Sequence, residues 1–390
     1  MITIVLTGGG SGGHITPLLA VAAELKRKRS DIRLVYIGQR GDGLGDIPAA
    51  HAAIDEVLTV RAGKFRRYHG ESLLRQLLDI PTMVKNIRDF FYVLIGMVQS
   101  WRILRRLRPD IVFIKGGFVG VPVGLASAVL HIPYVTHDSD AIPGLANRII
   151  SPWATKHAVA LPTNSYKYPS AKTVTTGIPL QADFEPVSDK LKQKYRADLK
   201  LPAEAKVLFV IGGGLGSQRV NQAVAEAVPH LLHEFRDLHV IHAVGRANKL
   251  DMKTVYADKL SEAEQGRLRI YDYLDDVYRY SGAADVIITR AGATNLAEFA
   301  LQGKACIVVP SSFLAGGHQL KNAKYLADHQ AALVLSETDL AADPNRLAGQ
   351  VSELLSNPQR RLDLGAELAK FARPKATQEL AQLILDQVKK

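Results

Sequence analysis

The sequence predicts an α/β protein made of two doubly wound parallel-sheet domains. Short β-branched runs alternate with longer amphipathic stretches, which is the pattern of a parallel sheet covered by helices. The pattern starts again in the second half of the chain, and each half opens with a strand, a glycine-rich loop and a helix. The length of 390 residues fits two domains of roughly 100–200 residues each.

The first half is predicted to begin with a strand at 2–7 and a helix at 17–29. Further strands are predicted at 32–37, 111–115, 134–136 and 157–160. The second half begins with a strand at 207–211 and a helix at 218–234, and continues with strands at 239–243, 269–271, 286–289 and 305–309. The polar, proline-containing segment 181–206 is the predicted linker. Two such domains facing each other leave a cleft at the carboxyl ends of their strands.

Charge and composition limit the classes of partner. Lys and Arg number 49 against 38 Asp and Glu, and the net charge of +11 favours nucleic acid, acidic lipid or a phosphorylated substrate. Cys306 is the single cysteine, so no internal disulfide is expected, and no Cys/His spacing resembles a zinc site. The N-terminus lacks a signal-peptide pattern, which favours the cytoplasm. Outside segments broken by glycine and proline, the longest apolar uncharged stretch is 90–101, which is shorter than the about 20 residues of a membrane span.

Two glycine loops are candidate phosphate sites. The first, Gly8–His14, and the second, Gly212–Ser217, each join a strand to a helix whose N-terminal N–H groups suit an anion. The first loop also matches the dinucleotide pattern G-x-G-x-x-G, but no carboxylate ends the next strand. Arg40 stands there instead and could serve a 2′-phosphate, so NADP binding stays open. The alternative for both loops is a tight turn without a ligand.

Several ordered motifs then point to one family. They are Thr7–Pro17 (TGGGSGGHITP), Gly116–Val119, His137–Asp140 with Pro143–Asn147, Thr176–Pro179, Gly212–Ser217 with Asn221-Gln222, Arg290–Thr294 with Glu298, and His318-Gln319 with Asn322-Ala323. Over nearly the whole chain these motifs resemble the bacterial UDP-N-acetylglucosamine–N-acetylmuramyl-(pentapeptide) pyrophosphoryl-undecaprenol N-acetylglucosamine transferases, the MurG type of glycosyltransferase family 28.

The resemblance implies a GT-B fold of two Rossmann-like domains and an inverting, metal-independent transfer, with no cofactor. It implies an N-terminal domain over 1–178 for the lipid-linked muramyl-peptide acceptor and a C-terminal domain over 179–373 for UDP-N-acetylglucosamine. Residues 374–390 are expected to form a helix, about 376–388, that crosses back to the N-terminal domain. The expected reaction converts lipid I to lipid II in peptidoglycan synthesis, at the cytoplasmic face of the plasma membrane.

The N-terminal half is expected to supply the base and the acceptor site. An imidazole suits a general base, and the resemblance makes His14 the candidate; Asp140 is a second candidate that could share the role. A histidine that only bonds its own loop is the alternative. The expected acceptor-binding residues are Gly9, Gly10, Ser11, Gly12, Gly13, Phe118 and Asn147.

The C-terminal half is expected to hold the donor. By resemblance, Ala293 and Thr294 hold the diphosphate through backbone N–H groups, Glu298 accepts the ribose hydroxyls, and the backbone of Leu274 reads uracil. Gln319 could bond the sugar through both its amide donor and its acceptor. Simple helix-start roles for Glu298 and for the 318–319 pair are the alternatives. The remaining expected donor-binding residues are Gly213, Gly214, Ser217 and His318.

Four positions depart from the family pattern. Asp140 stands where the best-known members have asparagine, Ser139 replaces a glutamine, Gly214 a serine, and Phe118 a tyrosine. These changes leave open a paralogous transferase with another UDP-sugar or lipid acceptor. A different class, an NADP-dependent enzyme or a non-catalytic nucleotide-binding protein, is the other alternative.

Most of the net charge lies in one segment, Arg61–Arg108, which carries 11 Lys and Arg against 3 Asp and Glu. Basic residues beside bulky apolar ones, such as Leu73-Leu74, Leu77-Leu78 and 90–95, are typical of an interfacial membrane surface. The sequence therefore predicts peripheral docking on an anionic inner-membrane surface. In the alternative the apolar residues, especially much of 90–103, are core. No nucleic-acid-binding motif is present, so nucleic acid is not an expected partner.

Overall fold

The computed structural model describes residues 1–9, 12–65, 79–214, 216–246, 248–312, 317–343 and 345–388. The chain divides into two compact units. Unit 1 holds the residues up to Ala182, His318 and the C-terminal segment from Arg373. Unit 2 holds Asp183–Ser312 and Gln319–Ala372.

Each unit is built on one parallel sheet. The strands of unit 1 are β1 (Thr3–Thr7), β2 (Arg33–Gln39), β3 (Glu56–Val60), β4 (Ile111–Ile114), β5 (Tyr134–Asp138), β6 (Lys156–Val159) and β7 (Thr173–Thr175), in the order β3-β2-β1-β4-β5-β6-β7. Those of unit 2 are β8 (Lys206–Ile211), β9 (Leu238–Ala243), β10 (Leu268–Tyr271), β11 (Val286–Thr289), β12 (Ala305–Val308) and β13 (Leu333–Val334), in the order β10-β9-β8-β11-β12-β13.

Helices follow most strands and cover both sheets. They are α1 (Gly12–Lys28), α2 (Asp46–Ala49), α3 (Ile80–Leu107), α4 (Gly120–Val129), α5 (Leu145–Ile150), α6 (Asp189–Asp198), α7 (Gln218–Glu234), α8 (Lys249–Lys259), α9 (Glu262–Gln265), α10 (Val277–Ala283), α11 (Ala293–Leu301), α12 (His318–Asp328), α13 (Glu337–Ala342), α14 (Asn345–Ser356), α15 (Pro358–Ala369) and α16 (Ala376–Asp386). Short 3₁₀ turns lie at Ser151–Trp153, Thr163–Ser165 and Ser170–Lys172.

Both faces of each sheet are buried, which explains the continuous apolar strands. In β1, Ile4 and Leu6 enter the core on one face while Val5 enters the core on the other. In β8, Leu208 and Val207 are divided in the same way. Because successive side chains of a strand alternate between faces, a strand covered by helices on both sides needs apolar residues throughout.

The strand order reverses once in each sheet. The chain runs outward from β1 through β2 to β3 and then returns to the other side of β1 as β4; β8 and β11 have the same relation. Such a reversal opens a crevice beyond the carboxyl ends of the two central strands. The predicted fold class is confirmed, and each reversal lies at one of the predicted glycine loops.

Two segments outside the sheets are also packed. The predicted linker contains α6, where Arg196 is buried and donates to Asp285 at 2.8 Å. The C-terminal helix α16 belongs to unit 1, where Leu380 and Ile384 are buried in the same core as Leu18 of α1.

Candidate active site

The crevice of unit 1 depends on glycines that let two loops meet. Gly116 and Gly117 follow β4 with φ of 95° and 80°, in the left-handed region that favours glycine. A Cβ on Gly117 would lie 2.3 Å from the carbonyl oxygen of Gly9, so the loops after β1 and β4 touch through bare backbone. This contact brings the first predicted loop and the Gly116–Val119 motif together.

His14 lies in the first turn of α1 and is half-buried beside Gly116. Its Nδ1 atom is buried and has no hydrogen-bond partner among the described residues. Burial, and next the Lys115 ammonium, lower the pKa of His14 from 6.5 to about 4, while Asp140 opposes them. The imidazole is therefore neutral at physiological pH and able to accept a proton.

Lys115 is a member of this crevice that the sequence analysis did not single out. It directly follows the apolar strand β4, is buried, and its Nζ donates to Ser139 Oγ at 2.5 Å. Burial lowers the pKa of Lys115 to about 8, against the opposing effects of Asp140 and Asp138. A charged side chain directly after four buried apolar residues was the available signal, since a lysine is rarely buried without a partner.

The loop after β5 supplies the third wall of the crevice. Asn147 is buried and donates through Nδ2 to the His137 carbonyl at 2.9 Å, while its Oδ1 has no partner in the described structure. Asp138 accepts from the Gly144 N–H at 3.0 Å and from the Tyr168 hydroxyl at 2.8 Å. A Cβ on Gly116 would lie within 3.7 Å of Asn147, His137 and His14.

The predicted acceptor-side residues thus fall into two groups. Gly9 and Asp140 lie on loops that meet at this crevice. His14 and Asn147 lie in the first turns of α1 and α5 beside them, with Gly12 and Gly13 at the start of α1. Phe118 is half-buried and packs against the core of unit 1. Gly10 and Ser11 lie outside the described residues.

The crevice of unit 2 is formed by the second glycine loop. Gly213 has φ of 88°, and a Cβ on Gly213 or Gly214 would meet no described heavy atom within 4 Å. A Cβ on Gly216 would lie 2.1 Å from the Val244 carbonyl oxygen, so this glycine fixes the loop against the end of β9. Ser217 caps α7 by accepting from the Val220 N–H at 3.4 Å. Among the described residues, space is therefore open at Gly213 and Gly214, and the Ser217 side chain caps α7.

The N-terminus of helix α11 is a second candidate anion site in the same crevice. It begins at Ala293 and Thr294, and its N-cap residue, Gly292, has no side chain to occupy the first N–H groups. Glu298 lies one turn further along and is buried, and burial raises its pKa from 4.5 to about 8. A carboxyl at this position can accept hydrogen bonds from hydroxyl groups when it is ionised, and it can also donate one when it is protonated.

The remaining donor-side predictions lie on neighbouring segments. Leu274 is buried after β10, and His318 is the first residue of α12. The Oε1 of Gln319 accepts from the Ser311 N–H at 2.9 Å, so the amide oxygen expected to reach a sugar is occupied within unit 2. Asn322 donates to the Ala291 carbonyl at 3.0 Å and thereby fixes the start of α11.

Helix α3 presents a long apolar stripe to solvent. Nine of its large apolar side chains are 39–62% exposed: Ile80, Met83, Val84, Ile87, Phe90, Phe91, Leu94, Ile95 and Val98. The alternative that placed much of 90–103 in the core is wrong for the five exposed residues from Phe90 to Val98, because α3 packs on unit 1 through Val93, Gly96, Ser100 and Leu104 instead. Leu73-Leu74 and Leu77-Leu78 lie outside the described residues.

Basic residues border this stripe. Lys85, Arg88, Arg102, Arg105 and Arg106 are exposed on the same helix. The Arg105 guanidinium lies 5.0 Å from the ring centroid of Trp101. Among the described helices none is both long and apolar enough to cross a membrane. Among all residues that the structure describes, no three His, Cys, Asp or Glu side chains lie close enough together to hold a metal ion.

Comparison with a solved structure agrees with this architecture. The crystal structure of Acinetobacter baumannii MurG matches with a TM-score of 0.73 and 24% identity, covering 99% of this chain and 100% of that one. Two doubly wound parallel sheets, each with a glycine loop at its strand reversal, define the GT-B fold.

The family follows from the sequence relatives. Residues 4–159 match the glycosyltransferase family 28 N-terminal domain, and residues 207–380 match the glycosyltransferase family 28 C-terminal domain. The chain is 31% identical to the UDP-N-acetylglucosamine--N-acetylmuramyl-(pentapeptide) pyrophosphoryl-undecaprenol N-acetylglucosamine transferase of Geotalea daltonii, covering 99% of this chain and 96% of the relative. It is also 31% identical to the protein of that name from Moorella thermoacetica, covering 99% of both. The chain belongs to glycosyltransferase family 28, and the predicted resemblance is confirmed.

Proposed function

We propose that the protein transfers N-acetylglucosamine from UDP-N-acetylglucosamine to N-acetylmuramyl-(pentapeptide) pyrophosphoryl-undecaprenol. A bond forms between the acceptor hydroxyl oxygen and the anomeric carbon, and the bond from that carbon to the β-phosphate oxygen breaks. The electron pair leaves with UDP, and the acceptor proton passes to a base. Attack opposite the leaving group inverts the anomeric centre.

Unit 1 supports the proposal through His14, the observation on which it rests most. A neutral imidazole in the crevice can take the acceptor proton, although a pKa of about 4 makes it a weak base in the free protein. A bound acceptor diphosphate would bring negative charge to the Gly9–Gly13 loop. Because a nearby anion favours the imidazolium, acceptor binding would raise the pKa of His14 toward neutrality. Asp140, which already opposes Lys115 in this way, would assist the proton transfer.

Unit 2 supports the proposal through its two anion-binding loops. The diphosphate would lie on the N–H groups of Gly213 and Gly214 and at the start of α11, where partial positive charge is concentrated. Glu298 would accept both ribose hydroxyls, and the backbone near Leu274 would read uracil. The Ser311 N–H occupies the amide oxygen of Gln319, so the contact of Gln319 with the sugar would be made by its amide N–H donor.

Because four residues depart from the family pattern, the identity of the donor sugar is tested by direct binding measurements. Calorimetric titration would compare UDP-N-acetylglucosamine, UDP-galactose, UDP-glucose and NADPH, with Glu298→Ala alongside. Selective binding of UDP-N-acetylglucosamine, lost in the variant, is expected. Tighter binding of another UDP-sugar would favour the paralogous transferase, and binding of NADPH alone would overturn the proposal.

We also propose that the stripe of α3 docks on an anionic membrane surface at the cytoplasmic face. Apolar side chains would enter the interface, and each basic residue beside an anionic leaflet contributes about 1 kcal/mol. Flotation with anionic vesicles at low salt tests this, using Phe91→Glu on the stripe and Leu362→Glu, a somewhat more exposed apolar site on α15, as the control. Loss of binding in the first variant alone is expected, whereas equal binding of both would contradict membrane docking by α3.

A further inference from the structure

One buried carboxylate in unit 2 joins three separate segments. Glu337 is the first residue of α13, and its side chain is 5% exposed. Its Oε1 accepts from Arg290 Nη2 at 2.7 Å. Its Oε2 accepts from Arg219 Nη1 at 2.7 Å and from Ser312 Oγ at 2.7 Å. Glu337 is therefore the common partner of groups that are distant in the sequence.

Each of the three partners is next to a segment that the proposed donor site uses. Arg219 is in the first turn of α7, directly after the glycine loop. Arg290 directly follows β11 and precedes the turn into Ala293. Ser312 follows Ser311, whose N–H is bound by Gln319. A single side chain thus fixes the relative positions of three segments. They are the glycine loop Gly212–Ser217, the turn between β11 and α11, and Ser311-Ser312, which we call the sugar segment because Gln319 bonds to it.

The charge of Glu337 is what makes this arrangement stable. Burial raises the pKa of its carboxyl, but hydrogen bonds from Ser312 and Arg290 outweigh burial and hold the pKa below its ordinary value. Arg290 is itself largely buried, and its other described acceptor is the Val309 carbonyl at 3.1 Å. Removal of the Glu337 charge would leave a buried guanidinium without its counter-ion, and the loop that carries it would shift.

We propose that Glu337 is a positioning residue for donor binding. It acts through Arg219, Arg290 and Ser312, and it keeps the backbone N–H groups of two loops aimed at one diphosphate. The inference rests on the proposed function, since it assumes that these loops hold a UDP-sugar. Displacement of a binding group by about 1 Å is enough to lower a rate or an affinity by large factors.

The chain offers a matched control in Asp285. This carboxylate is equally buried in unit 2 and accepts from Lys192 at 2.6 Å, Arg196 at 2.8 Å and the Val207 N–H at 2.7 Å. It precedes β11, at the amino edge of the sheet, away from the donor loops. Glu337→Gln and Asp285→Asn therefore remove comparable charges with comparable partners, and both are expected to lower the thermal unfolding midpoint.

Calorimetric binding of UDP and of UDP-N-acetylglucosamine distinguishes positioning from stability. Glu337→Gln is expected to raise the Kd of both ligands about tenfold, whereas Asp285→Asn changes neither by more than about twofold. Ser312→Ala, which releases the sugar segment only, is expected to weaken UDP-N-acetylglucosamine and leave UDP unchanged. Saturating donor should restore most of kcat in Glu337→Gln, because the base in unit 1 is untouched.

Each outcome decides one of the two proposals. Equal Kd values for Glu337→Gln and Asp285→Asn would overturn the positioning role. Failure of the unaltered protein to bind any UDP ligand would instead overturn the proposed function. If Glu337→Gln does not fold, Arg219→Ala and Ser312→Ala give the decision. Unchanged binding of UDP-N-acetylglucosamine in both would refute the role of Glu337.

Discussion

The affinity for UDP-N-acetylglucosamine is expected to depend on pH through Glu298. Burial raises the pKa of this carboxyl to about 8, so near pH 7 only about a tenth of the free protein carries the ionised form. The ribose hydroxyls donate hydrogen bonds, and a carboxylate accepts them with both oxygens. If donor binding selects the carboxylate, it must first release the proton, which costs about 1.4 kcal/mol near pH 7.

The size of the effect follows from that pKa. Between about pH 6.5 and pH 8.5 the ionised fraction rises roughly 25-fold, so the Kd is expected to fall by about the same factor. Near pH 7 about 0.9 proton should be released for each donor bound. Calorimetry in two buffers of different ionisation enthalpy measures both quantities, and the donor itself has no ionising phosphate in this range.

Glu298→Gln is the control for this linkage. The amide cannot ionise, so the variant should bind more weakly at about pH 8.5 and show neither pH dependence nor proton release. A flat Kd profile in the unaltered protein, with no proton exchange, would refute the reasoning. It would mean that the ribose does not meet an ionised Glu298.

Three further outcomes are expected. Glu298→Gln should raise the free energy of unfolding by up to about 3 kcal/mol near pH 7 and by little near pH 4.5. The reason is that a carboxyl whose pKa is raised in the folded protein lowers stability as pH rises from 4.5 toward 8, and urea unfolding at both pH values tests this. Lys115→Met should raise the pKa of His14 and move the acid limb of kcat/KM upward by up to about one pH unit. Burial should still hold the pKa of His14 below 6.5, and an unchanged NMR titration of this histidine would contradict the prediction. Gly117→Ala should destabilise the fold by at least about 2 kcal/mol more than Gly213→Ala, since both have positive φ but only the former clashes with backbone, at 2.3 Å; equal unfolding midpoints would count against that contact.

The central strands could be predicted because a strand buried on both faces must be apolar throughout. β4 satisfies this condition completely, and β1, β8 and β11 depart from it only at terminal threonines or a terminal lysine. The missed strands lie toward sheet edges or are very short: β3 is half-exposed and begins with Glu56, and β13 has two residues. Their pairing is imposed by neighbouring strands, and no local pattern reveals it.

The first helix was predicted to start at Pro17, and proline is a residue that first turns favour. The helix begins at Gly12 instead, with Pro17 inside it. Ile15 and Leu18 are buried in the core of unit 1, and this packing outweighs the low helix propensity of two glycines and a proline. Local propensity therefore misplaced the turn that carries His14, although the residue itself was identified from its motif.

The site shows a similar limit for charges. Motifs identified His14, Asn147 and Glu298, but no motif predicts a pKa, which depends on burial and on charges from other strands. Lys115 is the clearest case: a lysine between β4 and two glycines gives no sign of its partner until β5 is placed beside β4. The electrostatic state of the proposed base could not be predicted without that pairing.

The same pairing changes the meaning of Asp140 and Ser139. Considered singly, each replaces a family amide with a group that has lost hydrogen-bonding capacity. In the structure Ser139 accepts from Lys115, and Asp140 raises the pKa of that lysine and of His14. An added anion and a buried cation therefore oppose each other at the proposed base, and Lys115 has the larger effect on His14. The departures thus form one charge-compensated arrangement that still leaves the imidazole neutral, which is the state that a general base requires.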